Sequence, residues 1–308
     1  MQSILFKRTV KSMKASFSYY ILALVVQIKG IKKAFRKTPL NIGTLRKNDV
    51  PETPNRLLDK RMVQKFKVLE STVTQIMGSL EKLIIYVPGG AFVSGPAKHH
   101  WNLLADLAES TDFSIWMIDY PKAPEHGILE ISSNMDSIYD LATHRFPHKQ
   151  VILMGDSAGG AMLIALAQRL RNHKKALPNA MILISPVLDA SFSNPKIDTI
   201  EPKDIMLSKV GVLEAKKMCS QGVPITNTCI SPLYGSFQAF PEVHLFIAEN
   251  DITRPDQELF AIKLCQANVP HHVYFGKEMP HIWPLLPIVR EGKNARTQIK
   301  NILKKRFS

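Results

Sequence analysis

Apolar and polar positions follow two rhythms between residues 80 and 290. Short, nearly continuous apolar runs at 83–87, 113–118, 151–154, 181–184, 243–247 and 272–275 are too short for helices and are flanked by Gly, Pro or Asp, so they predict buried strands. The stretches 100–107, 128–144 and 158–170 carry apolar residues at helical spacing and predict helices. Strands alternating with helices indicate βαβ units, and hence an α/β fold with a mostly parallel central sheet flanked by helices. One interval breaks the rhythm. Nearly 60 residues separate the run ending at 184 from the one beginning at 243, more than a helix and two turns require. This predicts an insertion, at about 188–235, that covers the sheet edge as a cap.

Upstream the pattern differs. Phe17, Tyr20, Ile21, Leu24, Ile28, Ile31 and Phe35 recur at helical spacing, with Lys29, Lys32, Lys33, Arg36 and Lys37 between and beyond them. That predicts a basic amphipathic helix. The uninterrupted apolar run 19–26 is far below the roughly 20 residues of a membrane span, and no small-residue cleavage site follows it. A Pro- and Asn-bearing linker occupies about 39–55. Residues 1–67 are therefore expected to form a basic, helical N-terminal segment contributing to the cap, and 68–308 the α/β domain.

Charge sharpens that division. The net charge is +14, yet residues 1–67 contain 16 Lys/Arg against 3 Asp/Glu, leaving only +1 for the rest of the chain. Two readings stand for the basic segment: peripheral contact with an anionic membrane surface, or a solvated face that maintains solubility. No zinc-finger, RRM or KH pattern supports nucleic acid as a partner. The three cysteines, Cys219, Cys229 and Cys265, show neither disulfide nor zinc spacing. They fit a cytoplasmic protein, in contact with the membrane surface at most.

The candidate chemistry sits at strand ends. Gly155-Asp156-Ser157-Ala158-Gly159 follows an apolar strand and opens a small-residue helix. This is the setting of a nucleophile elbow, a tight turn that lifts a serine hydroxyl off the sheet edge. Ala158 offers a backbone N–H at the helix start for an oxyanion. Pro88-Gly89-Gly90-Ala91 follows the strand ending at Val87, where Gly89 and Gly90 can bring two further amides close to a substrate. In the chain order of this fold an acid and then a histidine follow the serine. Asp251, just beyond the 243–247 strand, is the predicted acid, with Glu249 and Asp256 as alternatives on the same loop. His281, after the last strand, is the predicted base; His271 and His272 fall within or beside that strand.

These residues resemble the hormone-sensitive-lipase-like branch of the α/β-hydrolases, especially small bacterial esterases, over most of 80–290. Gly-Asp-Ser-Ala-Gly-Gly at 155–160 is specific to that branch. Tyr120-Pro121-Lys122-Ala123-Pro124-Glu125 is similar to its Tyr-x-x-Ala-Pro-Glu signature. The segments 183–189 and 230–235 look like those flanking its cap insertion, and Met279-Pro280-His281 matches the position of its histidine. The resemblance implies carboxylester hydrolysis of a small-molecule substrate, with no metal or cofactor. It also implies a cap built from the N-terminal helices and the insertion. An amidase or formamidase with the same triad, and a binding protein that keeps the pocket without turnover, are the alternatives. The chain departs from the family at Pro88 and Ala91, where His-Gly-Gly-Gly is usual; proline cannot supply the histidine's hydrogen bonds.

Overall fold

The computed structural model describes residues 15–28, 30–59, 61–146, 150–286 and 288–306. Lys29 and the basic residues within 1–14 lie outside them. Helices α1 (Phe17–Ile28), α2 (Ile31–Phe35), α3 (Ile42–Arg46) and α4 (Asn55–Leu58) come first, followed by strands β1 (Val63–Val68), β2 (Ser71–Ile76) and β3 (Ser79–Val87). From there strands and helices alternate: α5 (Lys98–Ser110), β4 (Phe113–Asp119), α6 (Ile128–Arg145), β5 (Gln150–Asp156), α7 (Ser157–Asn172) and β6 (Ala180–Ile184). Two helices, α8 (Lys196–Ile200) and α9 (Lys209–Ser220), fill the long interval before β7 (Glu242–Asn250). The chain closes with α10 (Arg254–Gln266), β8 (His271–Pro280) and α11 (Arg290–Arg306).

All eight strands form one sheet in the order β1-β2-β4-β3-β5-β6-β7-β8. The β1–β2 and β2–β4 pairs are antiparallel, and every other pair is parallel. The continuous apolar runs are explained by burial on both faces. In β3, Leu83, Ile85 and Val87 pack into one cluster with residues of α6, α7 and α10. Ile84 and Tyr86 pack into a second with residues of α5 and α11. Truncating any such aliphatic to Ala costs about 2–5 kcal/mol. Because β3, β5, β6, β7 and β8 run parallel, Val87, Asp156, Ile184, Asn250 and Pro280 all end at one edge, where open α/β sheets place their sites.

Three expectations need correction. Residues 63–67, assigned to the helical N-terminal segment, are strand: β1 pairs antiparallel with β2, from Val63 against Ile76 to Val68 against Ser71. The single amphipathic helix is two helices, interrupted where Gly30 adopts a left-handed conformation (φ 65°), which ends a helix readily at glycine. The last strand continues through 276–280, expected as loop, because Glu278 N–H donates to Glu249 Oε2 and Asn250 Nδ2 donates to the Glu278 carbonyl. A register shift between Ala248 and Asn250 absorbs the irregularity.

At the functional edge, α2, α8 and α9 form a helical layer. Val187, Phe192, Ile197, Ile200, Val212 and Ile252 make a small apolar cluster there, with Phe35 against it. α2 and α9 cross so closely that a Cβ on Gly211 would stand 1.9 Å from the Phe35 carbonyl oxygen.

Candidate active site

β5 delivers Ser157 to the edge and α7 carries the chain away. Between them Ser157 takes φ 51°, a conformation that costs a non-glycine residue about 1–3 kcal/mol and persists where packing enforces it. The enforcement is visible. A Cβ on Gly159 would meet the Val87 carbonyl oxygen at 2.1 Å, and one on Gly155 would meet it at 2.8 Å. Glycine at both positions lets the turn sit against the end of β3.

The Ser157 hydroxyl lies 2.9 Å from His281 Nε2, and His281 Nδ1 lies 2.8 Å from Asp251 Oδ2. Thr253 donates to the other carboxylate oxygen, Oδ1, from its N–H at 2.8 Å and from its hydroxyl at 2.7 Å. Asp251 is therefore held as an ionised acceptor. It fixes the proton on Nδ1 and leaves Nε2 to accept the Ser157 proton. Burial alone would lower the His281 pKa, but the Asp251 charge and hydrogen bond outweigh it and raise the pKa above 6.5. Burial would likewise raise Asp251, yet His281 and Thr253 hold it below 3.8. Of the alternatives, Glu249 accepts from Glu278 N–H and Asp256 from Asn194. His271 and His272 stand at the start of β8, opposite the Ser157 edge.

Behind the serine, Asp156 is braced by Tyr86, whose hydroxyl donates to Oδ1 at 2.6 Å, and by His100 Nε2, 3.4 Å from Oδ2. The Ala97 N–H donates to His100 Nδ1, so the neutral ring carries its proton on Nε2, facing the carboxylate. Although burial opposes it, the interactions with His100 and His99 and the Tyr86 hydrogen bond bring the Asp156 pKa down to about 2. His99, His100 and Asp156 could approach a metal ion, as could Glu242, His244 and His272. Both His100 nitrogens are engaged in the first group, and the second lies at the N-terminal ends of β7 and β8.

The glycine loop lies directly on this floor. A Cβ on Gly89 would fall 2.4 Å from Asp156 Oδ2 and 2.8 Å from Ser157 Cβ, so only glycine permits the approach. The Gly90 carbonyl accepts the N–H groups of Val93 and Ser94, turning the loop back on itself. Among the described residues the Gly89 and Gly90 amides donate to no acceptor. The Ala158 amide belongs to the first turn of α7, where no intrahelical partner exists.

The expected linker turns out to brace this loop. Arg46, ending α3, donates to the Val93 carbonyl at 2.8 Å and the Ala123 carbonyl at 2.9 Å and pairs with Glu125 at 2.6 Å. Asp49 accepts the Gly95 N–H at 2.7 Å. These contacts hold the segment beside Pro88, where histidine is usual. Nothing in the local sequence marks Arg46 among so many basic residues. Lys216 was missed for the same reason. It lies on α9 beside a cavity of about 20 Å³ lined by Ala91, Ser157, Ala158, Val187, Leu207, Val212 and Ala215 as well as itself.

A family model described as alpha/beta hydrolase fold matches residues 84–285. An esterase of Acinetobacter venetianus is 30% identical over 197 residues, 63% of this chain and 65% of its own. The matched part thus spans just under two thirds of that relative. A crystal structure from Staphylococcus aureus, 29% identical, superposes with a TM-score of 0.77 over 96% of this chain and 95% of its own. An esterase of the bacterial hormone-sensitive lipase family, 22% identical, shares the fold with a TM-score of 0.82 over 96% and 100%.

Proposed function

The chain belongs to the α/β-hydrolase fold family, and on that premise we propose that it is a serine carboxylesterase of the hormone-sensitive-lipase-like branch acting through Ser157, His281 and Asp251. One observation carries the reading: a serine in a strained turn lies 2.9 Å from an imidazole whose other nitrogen is 2.8 Å from a buried carboxylate. His281 takes the Ser157 proton as Oγ attacks the ester carbonyl, while Asp251 stabilises the imidazolium. The amides of Gly89, Gly90 and Ala158 receive the oxyanion, each such donor contributing about 3 kcal/mol. His281 then protonates the departing alcohol, and water releases the acyl group by the reverse sequence.

The helical layer of α2, α8 and α9 acts as the cap in this reading. The small, mostly aliphatic cavity it leaves beside Ser157 favours short acyl chains. Replacing Ser157 by Ala removes the nucleophile, and hydrolysis of p-nitrophenyl butyrate is expected to fall by about 10⁶, as for other triads. Substantial activity in that variant refutes the assignment.

We further propose peripheral contact of the N-terminus with anionic membrane. No helix among the described residues is long and apolar enough to cross a bilayer. α1 instead turns its apolar stripe outward, with Phe17 79%, Leu24 58% and Ile28 75% exposed, as an interfacial helix would.

A further inference from the structure

One buried cation opens on the same cavity as Ser157 and takes no part in the triad. Lys216 is 2% exposed. It lies on the inward stripe of α9 with Val212, Ala215 and Cys219, whereas Lys217 beside it falls outside that stripe. Its Nζ donates to the Ile230 carbonyl at 3.3 Å and stands 4.4 Å from the centre of the Phe92 ring. Among the described residues no carboxylate lies within ion-pair distance of it. An ammonium has three donors, and a buried charge without a counter-ion is destabilising. Burial lowers its pKa to about 8, so the group remains mostly charged at neutral pH. Every other side chain lining the cavity apart from Ser157 is aliphatic.

We propose that Lys216 is a specificity-determining residue that binds a carboxylate carried by a short ester positioned at Ser157. The inference deepens the esterase reading and rests on it. The ligand carboxylate supplies the direct ion-pair partner that the more distant charge of Asp189 does not, and the aliphatic walls strengthen the pairing by excluding water. A rival role exists: through Phe92, which follows the glycine loop, the ammonium could serve only to brace that loop. The two roles separate by substrate. A brace affects every ester alike, whereas a carboxylate site affects only anionic ones.

The test compares matched pairs. Monoethyl succinate against ethyl butyrate places the charge on the acyl side, and acetoxyacetate against propyl acetate places it on the alcohol side. For one pair the wild-type protein is expected to favour the anionic member in kcat/KM. Lys216→Met, with Lys216→Gln as a second variant, should reduce that preference at least tenfold, chiefly through KM. No preference in either pair, or an equal loss for both members, overturns the proposal; the first outcome requires no variant. Calorimetry on Ser157→Ala distinguishes this failure from failure of the esterase reading. Lysine-dependent binding of an anionic ester without turnover in the wild type preserves the site and refutes the reaction. Equal binding of both members, alongside normal turnover, does the reverse.

Discussion

The floor of the site and the helical layer above it are built by different means. On the floor, Asp251 is fully buried, and a chain of hydrogen bonds runs from Thr253 through Asp251 and His281 to Ser157. A second buried network, Tyr86–Asp156–His100, stands behind it. Above, the cover is joined by a small apolar cluster and a few polar ties. Lys32 donates to the backbone carbonyls of Glu201 and Asp204, and Asp204 Oδ2 accepts the Ile252 N–H at 3.0 Å. The floor restricts each atom to one place, whereas the cover mainly determines what can enter. Substitutions in the floor should therefore alter rate and folding, and substitutions in the outer cover should alter selection or location.

Asp251→Asn probes the floor most strongly. It keeps the side chain's shape but loses the charge that selects the His281 tautomer, and kcat should fall by about 10⁴, by analogy with the serine-protease triad. pH sharpens the result. Hydrolysis needs neutral His281, whose pKa lies above 6.5, so the acid limb of kcat/KM should have its midpoint above that value. In the residual activity of the variant, the limb should move to lower pH. Stability runs the opposite way for the imidazolium: its pairing contribution is complete below the unfolded pKa and disappears as pH rises through the raised folded value. Asp251, held below 3.8, contributes above its unfolded pKa and loses that contribution as pH falls through the folded one.

Gly159→Ala comes next. Its methyl group would stand 2.1 Å from the Val87 carbonyl oxygen, backbone against backbone with no flexible end to yield. A loss of about 3 kcal/mol or more is expected in urea unfolding, with activity falling as the elbow shifts. Wild-type stability would show that the turn is looser than described. The smallest effect on turnover belongs to α1, which packs against the cluster shared with α5 and α11. Leu24→Glu with Ile28→Glu, on the exposed face of α1, should abolish flotation with phosphatidylserine liposomes while changing butyrate hydrolysis less than about twofold, as for surface positions. Unchanged flotation would end the membrane proposal.

Legibility from sequence followed the same division. The floor was readable because its chemistry dictates residue type: the elbow requires small residues around Ser157, and a doubly covered parallel strand requires runs such as 83–87. The edge strand β1 was not readable. Its residues are half-exposed or exposed and none is buried, and Gln64, Lys65 and Lys67 blend into the basic segment before it. Periodicity did not identify the face that α1 buries: Phe17, Leu24 and Ile28 of the expected stripe face outward, while Tyr19 and Val26, off that stripe, are buried. Arg46 and Lys216 owe their roles to neighbours distant in sequence, Val93 and Ala123 for one and Ile230 and Phe92 for the other. No local pattern marks such residues.

In the proposed reaction His281 activates one particular hydroxyl, that of Ser157. Intact protein treated with a fluorophosphonate and mapped by peptide mass spectrometry addresses it directly. A single adduct on Ser157, forming at least about a thousandfold more slowly in His281→Ala, is the expected result. An adduct elsewhere, no adduct on the folded protein, or equal labelling rates with and without the imidazole would contradict it.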